Sequence, residues 1–295
     1  VVSDWKTAYP FQGRRFEVAG TFMNYLDEGV GETVLMVHGN PSWSFYFREL
    51  VKQLSGARRC IVPDHVGMGL SGRPNDGQYR FTLKSRIDDL DALMNAVAPD
   101  GPVTLVLHDW GGMIGMGWAA RHPERVKAIV AFNTACFRLP VEKRFPLLLR
   151  FLRGPLGFPL RFSRAARRAV LRTCVARARL SPETESAYLD VCDGWNESRG
   201  VHRFVQDIPL SPSDPAWSEV VAIEASLPKF ARVPMLLPWG MKDWVFDRAF
   251  LESWTSRFPN ARVERFADCG HFLLEDAPLS LVRMIADFLG APVRA

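Results

Sequence analysis

Val103-Thr104-Leu105-Val106-Leu107-His108-Asp109-Trp110-Gly111-Gly112 reads as a strand that breaks at one sharp turn and starts a helix. Val103–Leu107 is short and mostly apolar, as strands buried on both faces of a parallel sheet are. The glycines at 111 and 112 let the following helix pack close to its neighbours. A turn of this kind lifts one side chain above the sheet, where it can act as a nucleophile. The lifted residue here is Asp109, and Leu107 stands where a serine-based version carries glycine.

Working outward, the same alternation repeats. Arg14–Ala19 and Met23–Asp27 read as antiparallel entry strands. Thr33–Val37, Cys60–Pro63 and Ala128–Phe132 are short apolar runs ended by Gly, Asp or Asn. Helical stretches such as Phe81–Val97 and Gly112–Arg121 lie between them. Strand and helix in alternation predict an α/β fold with helices on both faces of a mostly parallel sheet. From about Ala135 to Ser226 no strand run stands out, and the alternation then resumes. Its last members are Met235–Pro238, a helix near Ala249–Arg257, Arg262–Phe266 and a helix near Leu279–Leu289. The expected sheet has eight strands. The expected organisation is a core in two parts, residues 1–134 and 227–295, with a helical cap inserted at 135–226.

A chain of 295 residues with 47% apolar content can bury one large core. The five cysteines, at 60, 136, 174, 192 and 269, are odd in number and form no CxxC pair. That argues against a disulfide framework or zinc site and for a reduced, cytoplasmic setting. No apolar run is long enough to predict a transmembrane helix. The net charge of +5 is uneven: residues 138–179 hold twelve Lys or Arg against one acid, Glu142. This segment reads as an arginine-rich solvent face, as a surface for self-association or assembly with pathway partners, or as a peripheral membrane contact. No nucleic-acid motif accompanies the charge, so nucleic acid is not an expected partner.

An aspartate at the turn fixes the chemistry. At the reference carboxylate pKa of about 3.9, Asp109 is ionised about a thousandfold over its acid at pH 7 and needs no base in order to attack. The ester it forms then needs an activated water. Two later elements follow in the order nucleophile, acid, histidine. Pro238–Asp243 leaves Asp243 after a strand, with Asp247 as its rival, and Cys269-Gly270-His271 follows the last strand. His271 can take a proton from water, and an aspartate behind it fixes the tautomer. His38-Gly39-Asn40-Pro41 follows Thr33–Val37 and supplies a backbone N–H beside the nucleophile, as Trp110 does. Asn40 and Trp110 also carry side-chain N–H donors suited to a leaving anion. Pro63–Ser71, His65 included, reads as a structural loop, and no metal-ligand spacing appears.

These stretches together resemble the haloalkane dehalogenase superfamily of α/β-hydrolases. The resemblance rests on His38–Trp43, Pro63–Ser71, His108–Gly112, Gly240–Asp243 and Gly270-His271. It implies Asp109 as nucleophile, His271 as base, Asp243 as acid, and Asn40 and Trp110 as halide clamp. The implied ligands are a small hydrophobic substrate and a halide ion, with no cofactor. Phe132-Asn133-Thr134 has no acid where some members carry theirs, and Phe204–Pro212 also looks like the third subfamily. That group includes β-lactone decarboxylases of bacterial long-chain olefin synthesis. Haloalkane hydrolysis is therefore the leading expectation, cis-β-lactone decarboxylation the alternative, and a non-catalytic scaffold the hypothesis from a different class. Epoxide hydrolases use two cap tyrosines, whereas Tyr188 is the sole tyrosine of residues 135–226.

Overall fold

A computed structural model describes residues 5–154, 157–177 and 179–292, the side chains of Pro159 and Leu160 aside. Eight strands form one sheet: β1 (Arg14–Val18), β2 (Thr21–Glu28), β3 (Thr33–Val37), β4 (Arg59–Pro63), β5 (Val103–Asp109), β6 (Val126–Thr134), β7 (Met235–Gly240) and β8 (Arg262–Phe266). Their order is β1-β2-β4-β3-β5-β6-β7-β8. The β1–β2 and β2–β4 pairings are antiparallel and the remaining pairings are parallel.

Period-two alternation divides the central strands between two cores. Leu35 and Val37 of β3 share one cluster with Leu105 and Leu107 of β5. Val34, Met36 and Val106 point to the opposite cluster. The first cluster includes residues of α2 (Leu83–Val97) and α3 (Trp110–Arg121), and the second those of α1 (Arg48–Leu54) and α12 (Pro278–Phe288). Each fully buried Leu or Val on these strands contributes about 1.5–3 kcal/mol. Strands covered on both faces have no polar side to alternate with, which is why they read as continuous apolar runs. β1 and β8 lie at the two edges, and both are half exposed.

Several elements run further than the sequence predicts. β5 continues through His108 to Asp109, and α3 starts at Trp110 rather than Gly112. The turn therefore takes up a single residue. Between β6 and β7 the described residues contain α4 (Leu147–Arg153), α5 (Pro159–Phe162), α6 (Arg164–Thr173), α7 (Pro182–Asp190), α8 (Arg199–Gln206) and α9 (Trp217–Ser226), and no strand. Past β7 come α10 (Arg248–Arg257), then α11 (Leu273–Asp276) after β8.

The charge of residues 138–179 has a mainly internal explanation. Eight of its twelve Lys or Arg pair with carboxylates outside the segment. Arg164 and Arg167 meet Asp193, and Arg168 and Arg172 both meet Glu185. The acids that balance the segment lie far away in sequence, so a local count overstates the free charge.

Candidate active site

The site begins at backbone strain. Asp109 closes β5 with φ +52° and ψ −125°, a conformation that costs a residue with a side chain on the order of 1–3 kcal/mol. Packing holds it there. A Cβ on Gly111 would sit 1.9 Å from the Val37 carbonyl oxygen, so only glycine lets α3 approach β3. Thr134 Oγ1, at the end of β6, donates to the Asp109 carbonyl.

Backbone N–H groups face the carboxylate. The Asn40 N–H donates to Asp109 Oδ1 at 2.5 Å, and the Trp110 N–H favours the charged form. Gly39 makes room, since a Cβ there would lie 2.0 Å from Oδ1. Burial nevertheless dominates: it pushes the Asp109 pKa up to about 6, against the pull of His271 and the two N–H groups. This corrects the sequence-level expectation. At pH 7 the carboxylate exceeds its acid about tenfold, not a thousandfold.

His271 stands between two carboxylates. Its Nδ1 is 2.7 Å from Asp243 Oδ2 and its Nε2 is 3.5 Å from Asp109 Oδ2. Asp243 accepts from Nδ1, which leaves the Nε2 lone pair facing Asp109 in the neutral ring. Burial pulls the His271 pKa down, but the charge and hydrogen bond of Asp243, with Asp109 behind them, raise it overall. The ring lies nearly parallel to Phe246 at 5.8 Å.

The structure brings four of the five predicted site residues, Asn40, Asp109, Trp110 and His271, to the wall of one cavity, with Asp243 directly behind His271. The cavity encloses about 1280 Å³, its open mouth included. Its wall is otherwise mostly apolar, with Phe137, Leu149, Leu152, Leu171, Val205 and Phe250 among the residues that close it. Asp247, the rival acid, is used elsewhere: it caps α10 through the Ala249 N–H and pairs with Lys143. His65 is structural, held by the backbone of His38 and by its ring nitrogen. Among the described residues no cluster of His, Cys, Asp and Glu could hold a metal. All five cysteines are free and buried.

Two supporting residues went unread in the sequence. Asn133, with φ +43°, donates to Asp243 Oδ2 at 3.0 Å and bridges both the N–H and C=O of Gly240. Asp276 on α11 accepts the N–H groups of Gly270, Ala176 and Arg177, and Phe272 N–H reaches the Cys174 carbonyl. The loop carrying His271 is thereby tied to the end of α6. An Asn after a buried strand was the available signal for the first, whereas Asp276 gave none.

A family model described as the alpha/beta hydrolase fold matches residues 32–278. The chain belongs to that family. Its relatives include two proteins named cis-3-alkyl-4-alkyloxetan-2-one decarboxylase. The one from Shewanella oneidensis is 48% identical over 96% of this chain and 90% of its own length. The one from Xanthomonas campestris is 44% identical over 95% and 97%. Haloalkane dehalogenase 2 of Mycobacterium tuberculosis is 28% identical over 96% of both. Among solved structures, this α/β-hydrolase superposes on the haloalkane dehalogenase of Bradyrhizobium elkani with a TM-score of 0.84. That match has 24% identity and covers 95% of this chain and 98% of the other, a likeness of fold.

Proposed function

We propose that this α/β-hydrolase opens and decarboxylates cis-3-alkyl-4-alkyloxetan-2-ones, releasing a cis-alkene and carbon dioxide. The observation that carries the reading is the 44–48% identity, across nearly the whole chain, to two proteins of that name. It reverses the order expected from the motifs, where haloalkane hydrolysis led, because the dehalogenase relative stands at 28%. A mostly apolar cavity that ends on one carboxylate suits a four-membered lactone carrying two alkyl chains.

In this reading Asp109 Oδ2 attacks C4 of the ring. The C4–O bond breaks and its electron pair stays on the ring oxygen, which becomes part of a free carboxylate on C3. Side-chain N–H groups of Asn40 and Trp110 receive that developing charge. The bond from C3 to the carboxylate then breaks, its pair forms the C3–C4 double bond, and the ester bond to Asp109 breaks to return the nucleophile. Inversion at C4 followed by anti departure converts a cis ring into a cis alkene. No water enters. His271, oriented by Asp243, holds the face of Asp109 opposite the Asn40 N–H.

Haloalkane hydrolysis is the second reading, favoured by the same two side-chain donors at the cavity wall. There a halide leaves, and His271 drives water onto the ester. Long-chain cis-β-lactone with alkene detection, run beside bromoalkanes with bromide detection, separates the two. Rapid alkene release that Asp109→Ala abolishes is expected; rapid bromide release without alkene would sink the lactone reading. Turnover in ¹⁸O-water adds a mechanistic check. Ester hydrolysis labels the Asp109 carboxylate, whereas lactone turnover by this route leaves it unlabelled.

A further inference from the structure

Five of the seven residues of α4 are Leu or Phe, yet only part of that apolar surface is covered. Leu149 and Leu152 line the cavity. Leu147, Leu148 and Phe151 are 80%, 44% and 49% exposed. Beside them in the chain, Val141, Phe158 and Phe162 are exposed as well. Among the described residues eleven large apolar side chains are exposed, and six of them fall between Val141 and Phe162. Both α4 and α5 pack on α8, so this segment is built into the fold rather than trailing from it. A soluble protein leaves so much apolar surface uncovered where something else binds.

Charge indicates what binds. Once the eight internal pairs are set aside, Arg144 and Arg150 remain in the middle of the apolar segment, both exposed and without an ion pair among the described residues. Arg168 and Arg172 share the single carboxylate of Glu185, which leaves a further positive surplus on α6. Glu142 is the one acid in residues 138–179. Exposed Leu and Phe interleaved with free arginines match the headgroup boundary of an anionic bilayer, where rings and aliphatic chains enter the acyl edge and guanidinium groups meet phosphates. We infer that α4 and α5, with Val141, Arg144 and Phe158 beside them, form a docking surface for an anionic lipid bilayer.

The cavity supplies the use, and this step rests on the proposed function. A lactone with two long alkyl chains partitions into lipid rather than water. α4 has one face in the cavity and the other free to meet the bilayer. A ligand can pass from lipid to the site around this helix without its chains crossing water.

Sedimentation with sucrose-loaded vesicles tests the surface without any chemistry. Phosphatidylcholine vesicles with about a third phosphatidylglycerol are expected to pellet the protein at low ionic strength, and phosphatidylcholine alone is not. Arg144→Gln with Arg150→Gln should weaken pelleting about fivefold per arginine. Leu147→Ser with Phe151→Ser should abolish it, with the circular dichroism and the bromide release from a short bromoalkane unchanged. No pelleting by the wild type, or pelleting indifferent to the arginine pair, overturns the proposal. So does a wild-type dimer that the Leu147→Ser, Phe151→Ser variant turns into monomer, since a second copy would then cover the patch. Vesicle binding without alkene release would defeat the lactone reading and leave the docking surface standing.

Discussion

Asn133→Ala is expected to destabilise the protein by about 4 kcal/mol. The figure lies near the lower end of three summed losses. The buried Gly240 N–H, now bonded to Asn133 Oδ1 at 2.9 Å, is left without that partner, at about 1–3 kcal/mol. Asp243 loses a donor at 3.0 Å, and hydrogen bonds to charged groups are worth about 1.5–3 kcal/mol. Alanine at φ +43° adds on the order of 1 kcal/mol. For a chain of this size about 2 °C of melting temperature accompanies each kcal/mol, so scanning calorimetry should show a fall of about 8 °C. Asn133→Asp sharpens the test. Protonated, the new carboxyl can replace the amide donor; ionised, it faces Asp243 Oδ2, and two carboxylates at that distance cannot both ionise easily. Its folded pKa is therefore raised, and a raised acid pKa means stability present at low pH and lost as pH rises through it. Asn133→Asp should melt near the wild type at pH 5 and well below it at pH 8. An Asn133→Ala protein within 2 °C of the wild type, or an Asn133→Asp melting point flat with pH, would refute the role given to this side chain.

The nucleophile and the histidine each lead to an expectation of their own. With the Asp109 pKa at about 6, kcat/KM for an uncharged substrate should fall about tenfold between its plateau and pH 5, because only the carboxylate attacks; an acid limb near pH 4 would mean that burial does not control this group. His271→Gln should still release one bromide per site from a bromoalkane and then stop. Intact-protein mass spectrometry should then show one alkyl group on the protein, mapped to Asp109 by digestion, and a folded variant without the adduct would argue against the ester route.

The sheet was legible because its central strands are buried on both faces, which leaves continuous apolar runs bounded by Gly, Asp or Asn. The five candidate residues were legible for a related reason. Each follows closely on a parallel strand, and open α/β sheets gather their sites at those ends. What the sequence concealed depends on partners distant in the chain. Asn133 acts only because β6 lies beside β7, which brings Gly240 and Asp243 within reach. Asp276 acts because the end of α6 folds back onto α11. The arginines of residues 138–179 look like free charge until Asp193, Asp214 and Glu224 are placed beside them. The pKa of Asp109 belongs to the same class, since a reference value carries no information about burial.

In the proposed chemistry one constellation can serve both reactions because the substrate, together with the cavity around it, decides the fate of the ester. An ester made from a bromoalkane carries no second leaving group at its β-carbon, so it persists until water arrives through His271. An ester made by opening a β-lactone carries a carboxylate on the adjacent carbon. That carboxylate sits in a cavity with mostly apolar walls, where the burial that lifts Asp109 to about 6 also disfavours the new charge. Loss of carbon dioxide removes charge from the substrate and returns it to Asp109, which has the Asn40 N–H waiting. Fragmentation is thus driven by the same burial that would starve hydrolysis of water. A wider or wetter cavity should shift the balance toward β-hydroxy acid, the product of ester hydrolysis. The apolar wall formed by Leu149, Leu152 and Val205 is therefore as much a part of the proposed chemistry as the residues that touch the ring.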